Sequence, residues 1–316
     1  MAAKIIDGRA VAVKIREEAR TRAAALQARG VRPCLAVVLA GEDPASLSYV
    51  AAKEKAITGA GMEGREFRLP AGTGEAELLG VINALNADET VHGILVQLPL
   101  PSHIREKAVI SAVDPAKDVD GFHPVSVGNM VLGGKGFLPC TPHGVLVLLR
   151  EEGIPTDGAH AVILGRSNIV GKPLAALLSR REVNATVTIC HTGTRNPGLY
   201  TKDADILIAA AGRPGLVNAG MVKEGAAVID VGVNRVADSS SKKGYRLLGD
   251  VDYDPVAEKA GWITPVPGGV GPMTVAMLLL NVVEAAENAA NAVSGTNAAS
   301  GTNTASGARA AAARHD

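Results

Sequence analysis

The sequence predicts an α/β fold with two domains, each built on a parallel sheet. Short apolar runs alternate with amphipathic helical segments along almost the whole chain, which is the order that parallel strands joined by helices require. Hydrophobic residues make up 47% of the 316 residues and aromatic residues only 3%. The core must therefore consist of Val, Ile, Leu and Ala, as in sheets covered by helices on both faces. At roughly 100–200 residues per domain, the length predicts about two domains.

The first half of the chain has the pattern of a small α/β domain. A helix is predicted after the candidate N-cap Asp7, because Val11, Ile15, Ala19 and Leu26 follow one helical stripe. The run CLAVVLAG (34–41) predicts a buried strand. Residues 44–61 predict a helix, with a proline in its first turn and a glycine at its end. Further predicted elements are strands at 65–69 and 92–101 and a helix near 75–87.

A passage rich in Pro, Gly and Asp (114–128) interrupts this periodicity and is the best candidate for a domain boundary. We therefore predict a first domain over 1–119, joined by a C-terminal helix (273–290) that returns to it, and a second, Rossmann-like domain over 120–272. The predicted elements of the second half are a linking helix at 141–153, strands at 161–165, 186–190, 205–212 and 226–232, a helix near 172–181 and a glycine-proline loop at 265–274.

Charge and cysteine usage exclude several classes of protein. The 32 basic and 32 acidic side chains cancel, which gives no electrostatic reason to expect nucleic acid or an anionic membrane as a partner. Cys34, Cys140 and Cys190 have neither a C-x-x-C nor a zinc-ligand spacing, so we expect reduced thiols, no metal and a cytoplasmic protein. We expect no signal peptide and no membrane span. The low-complexity segment 294–316 predicts a disordered tail.

The strand at 161–165 leads directly into a glycine turn that suits a dinucleotide. A strand, a tight turn and a helix start together offer backbone N–H groups to phosphate, although the pattern departs from G-x-G-x-x-G because Ser167 replaces its second glycine. At the end of the next strand, His191 and Thr192 stand where an NAD site has a carboxylate. With Arg166 in the turn, NADP is favoured over NAD. A purely structural turn and a solvated arginine are the alternatives.

Four polar side chains of the first half form a candidate chemical site. Tyr49 and Lys53 lie four residues apart on a predicted helix and therefore share one face. Gln97 ends an apolar strand, and Asp120 lies in the sequence DVDGF. Each residue alone has an ordinary alternative: a solvated lysine, a strand-end glutamine or a turn aspartate.

Five motifs in the same order, YVAAK, VQLPLP, DVDGF, GRSNIVGKP and PGGVGPMT, resemble the methylenetetrahydrofolate dehydrogenase/methenyltetrahydrofolate cyclohydrolase family over roughly residues 3–290. The resemblance implies that Tyr49 stacks on the aminobenzoate of folate, that Lys53 is the central catalytic residue with Gln97 as its neighbour, and that Asp120 anchors the pterin. It also implies substrate contacts from the 267–274 loop, including Gly268, Gly269 and Pro272, and NADP contacts from Gly165, Arg166, Ser167, Thr192 and Val233.

The implied activities are NADP-dependent oxidation of 5,10-methylenetetrahydrofolate and hydrolysis of the methenyl product to 10-formyltetrahydrofolate, in one-carbon metabolism. Oxidation needs positioning more than proton transfer, because folate nitrogen lone pairs stabilise the cation. Hydrolysis differs, since the attacking water must lose a proton. Lys53 can take that proton only as a neutral amine, which partial burial between the domains favours. The family also implies a homodimer formed through the cofactor domains.

Three other functions are compatible with part of the sequence. A monofunctional dehydrogenase would use the same site, and a non-catalytic NADP sensor would use the first domain as a platform for partners. An amino-acid or malate-type dehydrogenase would share the second domain, but it leaves YVAAK, VQLPLP and DVDGF unexplained. A formyltetrahydrofolate ligase is disfavoured because the chain has no G-x-x-x-x-G-K-[ST] phosphate loop.

Overall fold

The computed structural model describes residues 2–241 and 244–306 and contains two parallel sheets with helices between and around them. The strands are β1 (Lys4–Ile5), β2 (Cys34–Ala40), β3 (Glu63–Leu69), β4 (Gly93–Val96), β5 (His160–Leu164), β6 (Thr186–Cys190), β7 (Ile206–Ala209), β8 (Ala227–Asp230), β9 (Asn234–Ala237), β10 (Tyr245–Leu248) and β11 (Trp262–Ile263). The helices are α1 (Gly8–Gln27), α2 (Pro44–Gly59), α3 (Glu75–Ala87), α4 (Glu106–Ala112), α5 (Pro124–Leu132), α6 (Cys140–Glu151), α7 (Gly171–Leu178), α8 (Gly198–Thr201), α9 (Tyr253–Ala257) and α10 (Val270–Ser306), with a 3₁₀ turn at Ala219–Met221.

The first sheet has the order β3-β2-β4, and all its strands are parallel. Every residue of the central strand β2 is buried, because helices cover both faces. Leu35, Val37 and Leu39 belong to the core that includes α1 and α10, whereas alternate residues such as Ala36 and Val38 belong to the core with α3. This period-2 division explains why the sequence shows an unbroken apolar run rather than alternation.

The second sheet has the order β1-β11-β8-β7-β5-β6, again parallel throughout. Strand β6 lies on one side of β5 and β7 on the other, so the strand order reverses at β5. In open parallel sheets the crevice at such a reversal, beyond the carboxyl ends of the strands, is where ligands bind. The edge strand β1 was not predicted. It pairs with β11, so the first residues of the segment assigned to the first domain join the second sheet.

Helix α10 joins the two halves of the molecule, as the sequence predicted. It packs against α1 and α6, with Leu279, Val282 and Val283 fully buried. A two-bond ion pair at 3.0 and 2.7 Å connects Arg22 of α1 to Glu287 of α10. One continuous core therefore extends from the inner face of the first sheet through these helices to the second sheet. The two-domain α/β architecture is confirmed.

Residues 270–292 of α10 are long and apolar enough to cross a membrane by length and composition, yet 61% of the most apolar window is buried inside the protein. That burial is typical of the core helix of a soluble protein. The helix continues to Ser306 and so overlaps the start of the predicted tail, 294–316. Residues 307–316 lie outside the described part of the chain, and the disorder of the tail stays a prediction.

Several boundaries differ from those the sequence predicted. The predicted strand 92–101 ends at Val96, because Pro99 and Pro101 have no N–H to donate to a neighbouring strand. The passage 114–128 contains the start of α5, which the ring of His123 caps by accepting from the backbone N–H of Val125. The antiparallel hairpin of β9 and β10 was also not predicted, because its strands are short and half exposed.

Candidate active site

A cavity of about 300 Å³ lies between the first sheet and the second domain, and the predicted chemical residues line it. Tyr49 and Lys53 share the face of α2 that looks into the cavity. The ammonium of Lys53 donates to Oε1 of Gln97 at 3.0 Å. Nε2 of Gln97 donates to the carbonyl of Leu98 at 2.7 Å, and its backbone N–H donates to Val38 at 2.8 Å. Both ends of the glutamine amide are therefore fixed, with its oxygen facing Lys53.

The turn at DVDGF separates two aspartates that have different surroundings. Asp118 is buried and accepts from the hydroxyl of Ser126 at 2.6 Å and from the N–H groups of His123 and Phe122. It is the carboxylate that holds the turn. Asp120 lines the cavity instead, and no side-chain hydrogen bond to another described residue engages it. The sequence left open that Asp120 is only a turn residue; in the structure Asp118 has that role.

The charge state of Asp120 responds to its position in the cleft. Burial raises the pKa of Asp120 to about 6, the nearby Lys53 ammonium opposes this rise, and Asp118 adds to it. Asn281 of α10 supports this segment by donating to the carbonyl of Val119 at 2.8 Å and to that of Leu138 at 3.1 Å. An asparagine that is only 3% exposed in an apolar helix is a sequence feature that could have indicated this role.

Other residues of the same cavity were not predicted individually. The hydroxyls of Thr141 and Thr274 lie 2.8 Å apart and join α6 to the first turns of α10 at the cavity wall. Phe122 lines the wall beside Asp120. Ile169, Val170 and Val231 close the side that belongs to the second domain. These groups make that side of the cavity apolar.

The glycine turn after β5 allows a close backbone approach at the strand reversal. Gly165 has φ +133°, and a Cβ placed there would lie 2.1 Å from the carbonyl oxygen of Ala210, at the end of β7. A Cβ on Gly171 would lie 2.1 Å from the oxygen of Gly165. The hydroxyl of Ser167 accepts from the N–H groups of Val170 and Gly171 and caps the start of α7. The turn therefore has the compact form that dinucleotide phosphates require.

The outer side of this turn is cationic. Nη1 of Arg166 lies 3.5 Å from Nε2 of His191, at the end of β6, and both groups are accessible from solvent. Thr192 is exposed beside them, and Thr194 accepts from the N–H of His191 at 2.9 Å. The sequence from 190 to 194 contains no carboxylate. The close backbone contacts at Gly165 and Gly171 fit a dinucleotide. The positive charge of Arg166, with no carboxylate at 190–194, fits the additional phosphate of NADP.

Two buried aspartates organise the end of β8. Asp250 accepts from the N–H groups of Ala211, Gly212 and Arg213 and from the amide of Asn234, at 2.7 to 2.9 Å. Asp230 accepts from the N–H groups of Gly232, Asp250 and Val251. Burial raises the pKa of Asp230 to about 6, and the backbone donors oppose this rise. This network fixes the loop that presents the exposed Val233 to the cavity.

The glycine-proline loop borders a second cavity, of about 480 Å³, which we call the outer cavity. Gly268, Gly269 and Pro272 line the outer cavity rather than the cavity around Lys53, and their contact with substrate stays a prediction. A Cβ on Gly8 would lie 1.8 Å from the oxygen of Gly269, so the start of α1 is pressed against the loop. The two cavities share five lining residues and are therefore adjacent. These are Tyr49, Val233, Val270, Gly271 and Val275.

Comparison with known families decides what kind of site this is. Residues 6–120 match the catalytic domain of tetrahydrofolate dehydrogenase/cyclohydrolase, and residues 139–290 match its NAD(P)-binding domain. The chain belongs to the tetrahydrofolate dehydrogenase/cyclohydrolase family. The family therefore accounts for both α/β halves, and its second domain binds NAD(P). The alternative of an amino-acid or malate-type dehydrogenase is excluded.

Named relatives agree over nearly the whole chain. The bifunctional protein FolD of Moorella thermoacetica is 56% identical over 286 residues, which are 90% of this chain and 99% of that protein. The crystal structure of the bifunctional FolD enzyme of Campylobacter jejuni is 48% identical, with a TM-score of 0.86, over 91% of this chain and 99% of that chain. The dehydrogenase-cyclohydrolase of Trypanosoma brucei, complexed with NADP and an inhibitor, is 42% identical with a TM-score of 0.88, over 92% and 99%.

Proposed function

We propose that the protein oxidises 5,10-methylenetetrahydrofolate with NADP and hydrolyses the resulting 5,10-methenyltetrahydrofolate to 10-formyltetrahydrofolate in one cleft. The observation that carries this proposal is the Lys53–Gln97 hydrogen bond of 3.0 Å, in a cavity that also contains Tyr49 and Asp120. This set provides an aromatic face, a carboxylate and a fixed amine. Family membership and the bifunctional relatives support both activities.

In the oxidation step, the residues of the cleft orient the folate. Tyr49 is 44% exposed and offers its ring to the aminobenzoate, while burial raises the pKa of its hydroxyl and keeps it neutral. Asp120 lies deeper and can accept two N–H bonds from the amino-pyrimidine edge of the pterin. Together these contacts would hold the one-carbon bridge near the glycine turn, where bound NADP supplies the hydride acceptor.

We assign the NADP contacts to residues at the carboxyl ends of three strands. Gly165 and Ser167 would approach the phosphates, and Arg166 with Thr192 would face the 2′-phosphate and ribose. Val233 would lie against the nicotinamide side of the cleft, because it lines the same cavity as Lys53. The glycine contacts and the absence of a carboxylate at 190–194 support this assignment.

In the hydrolysis step, Lys53 would act as the base. A neutral amine keeps N–H groups to donate to Oε1 of Gln97 and has one lone pair for the attacking water. Nε2 of Gln97 donates to the carbonyl of Leu98. This bond keeps the amide from turning over, so that its oxygen stays directed at Lys53. Gln97 thus orients Lys53 without adding charge, and the apolar wall of the second domain restricts other water.

The test is to follow both reactions with the purified protein. Reduction of NADP, and separately of NAD, is measured with 5,10-methylenetetrahydrofolate, and the decay of added methenyltetrahydrofolate is compared with a protein-free control. We expect rapid NADP reduction and accelerated decay. Reduction without accelerated decay would leave a monofunctional dehydrogenase, and neither reaction in folded, NADP-binding protein would favour the sensor.

We also propose a cytoplasmic homodimer formed through the cofactor domains, as the family implies. Cys34, Cys140 and Cys190 are all free and buried, which suits a reducing compartment. Light scattering coupled to size-exclusion chromatography should give twice the 32.2 kDa chain mass. A particle of single chain mass at micromolar concentration would contradict the dimer.

A further inference from the structure

A third cavity, of about 390 Å³, lies between helices α4, α5 and α7, and neither the proposed chemistry nor the cofactor assignment uses it. We call it the α4–α7 cavity. Its volume falls in the range of about 300–1,000 Å³ that small-molecule sites have. Its walls are mainly apolar and include Ile110, Phe122, Val127, Met130, Ile169 and Pro173. A flat ring suits these walls, because a phenyl group and a thioether both contact aromatic rings favourably.

The apolar surface continues outside the cavity along α5. Val131 lines the cavity and is 59% exposed, and the neighbouring Leu132 is 85% exposed. The helix is nevertheless fixed at both ends, since the ring of His123 caps its start and the guanidinium of Arg180 donates to the carbonyl of Met130 at 2.6 and 3.2 Å. Apolar side chains that a fixed helix exposes beside a cavity are typical of a binding site.

The charged side chains of the α4–α7 cavity favour a single anion. Lys107 of α4 and Lys172 of α7 line the cavity together with one carboxylate, Glu106, which gives a sum of one positive charge. The ammonium of Lys172 donates to Oδ1 of Asn168 at 2.7 Å, and this bond fixes it at the cavity wall. Lys107 forms no salt bridge with any residue that the structure describes. An apolar body with one acidic group therefore matches this cavity.

The α4–α7 cavity shares two wall residues with the cavity around Lys53. Phe122 and Ile169 line both. The backbone N–H of Phe122 donates to Asp118, which holds the turn that carries Asp120. Ile169 lies in the glycine turn after β5, to which we assign the NADP phosphates. A ligand in the α4–α7 cavity would therefore contact a segment of the cofactor site without occupying that site.

We propose that the α4–α7 cavity binds a small aromatic monoanion, a carboxylate or sulfonate on a body of one or two rings, and that this ligand strengthens NADP binding. The rings pack against Phe122 and Met130, and the acidic group lies near Lys107 and Lys172. A ring that packs on Ile169 restricts the glycine turn before the cofactor arrives, so that less conformational entropy is lost when NADP binds. The proposal does not depend on the folate chemistry.

The first experiment measures binding of anilinonaphthalene sulfonate, an aromatic sulfonate whose fluorescence rises in apolar surroundings. It is titrated into the full-length protein saturated with NADP, so that the cofactor site is already filled. We expect one probe per chain. Absence of saturable binding under these conditions would overturn the proposal.

The second experiment repeats this titration with Lys107→Glu, Val131→Asp and the double variant. Both residues are exposed, so the variants should fold normally, which circular dichroism checks. We expect the Kd of the probe to rise about threefold in each single variant and about tenfold in the double variant. Lys202→Glu and Leu199→Asp are the matched controls, because both residues are exposed and line none of the three cavities. Equal changes in the controls would show that the probe binds elsewhere and would refute the site.

The third experiment tests the coupling to NADP by calorimetric titration of the cofactor at increasing concentrations of the probe. We expect the Kd for NADP to fall about threefold and then to reach a limit, and saturating NADP should lower the Kd of the probe by the same factor. The double variant should show neither change. A Kd for NADP that is unchanged, or that rises to a limit, would refute the coupling. A Kd that rises in proportion to the probe without limit would place the probe in the cofactor site and overturn the proposal.

Discussion

Replacement of Asp250 should destabilise the loops at the end of the second sheet, although Asp250 is not one of the groups that take part in the reaction. The carboxylate is fully buried and accepts four hydrogen bonds, from the N–H groups of Ala211, Gly212 and Arg213 and from the side chain of Asn234. At about 1 kcal/mol for each bond, Asp250→Ala should lower the free energy of unfolding by about 4 kcal/mol. Because three of these donors belong to the exposed loop after β7, water can recover part of that loss.

The functional consequence should appear in NADP binding. The Asp250 network connects the loop after β7 with the loop after β8, and both loops lie at the edge of the sheet where we place the cofactor. Urea denaturation followed by circular dichroism gives the stability, and titration with NADPH gives the affinity. Asp254→Ala, an exposed aspartate on α9, is the control and should change stability by less than about 0.5 kcal/mol. A loss below about 1 kcal/mol in Asp250→Ala would refute the reasoning.

Three further predictions concern the cleft and its supports. The pKa of Asp120 is about 6, and protonation removes a hydrogen-bond acceptor from its carboxylate. The kcat/KM for methylenetetrahydrofolate should therefore fall as pH drops below about 6, up to tenfold per pH unit. A flat profile from pH 7 to 5 would contradict this. Gly165→Ala should weaken NADPH binding at least about tenfold in a fluorescence titration, because its Cβ would lie 2.1 Å from the oxygen of Ala210. The control Gly80→Ala, which has open space around its Cβ, should bind NADPH with unchanged affinity. Gly144→Ala should lower the free energy of unfolding by about 1–3 kcal/mol, because its Cβ would lie 2.8 Å from a methionine Cβ of α10; a melting temperature equal to that of the unaltered protein would argue against tight packing there.

The sequence was sufficient to predict the fold class because both sheets are parallel and buried. Strand β2 is an unbroken apolar run, and the glycine turn after β5 marks the cofactor crevice. Elements with few residues or half-exposed faces were not predicted, since their hydrophobic patterns are too short to distinguish from those of loops. The two-residue strand β1 is the clearest case: its pairing with β11 depends on where α1 lies, which is a tertiary contact.

For the site as well, the sequence predicted what depends on local spacing and did not predict what depends on tertiary contacts. The i, i+4 spacing of Tyr49 and Lys53 correctly placed both on one face of α2, and the structure brings Gln97 within hydrogen-bond distance. The motifs did not distinguish the roles of Asp118 and Asp120, because that difference arises from burial and from the contact with Ser126.

Lys53→Met tests the central claim most directly, with Lys55→Met, an exposed lysine of the same helix, as the matched control. The measurement is the rate of decay of methenyltetrahydrofolate at saturating protein, beside NADPH and folate affinities that report an intact cleft. Loss of a general base should slow the decay by about 10²- to 10⁴-fold in Lys53→Met, while Lys55→Met decays at the normal rate. A normal decay rate in Lys53→Met, with both ligands still bound, would contradict the assignment of Lys53 as the base.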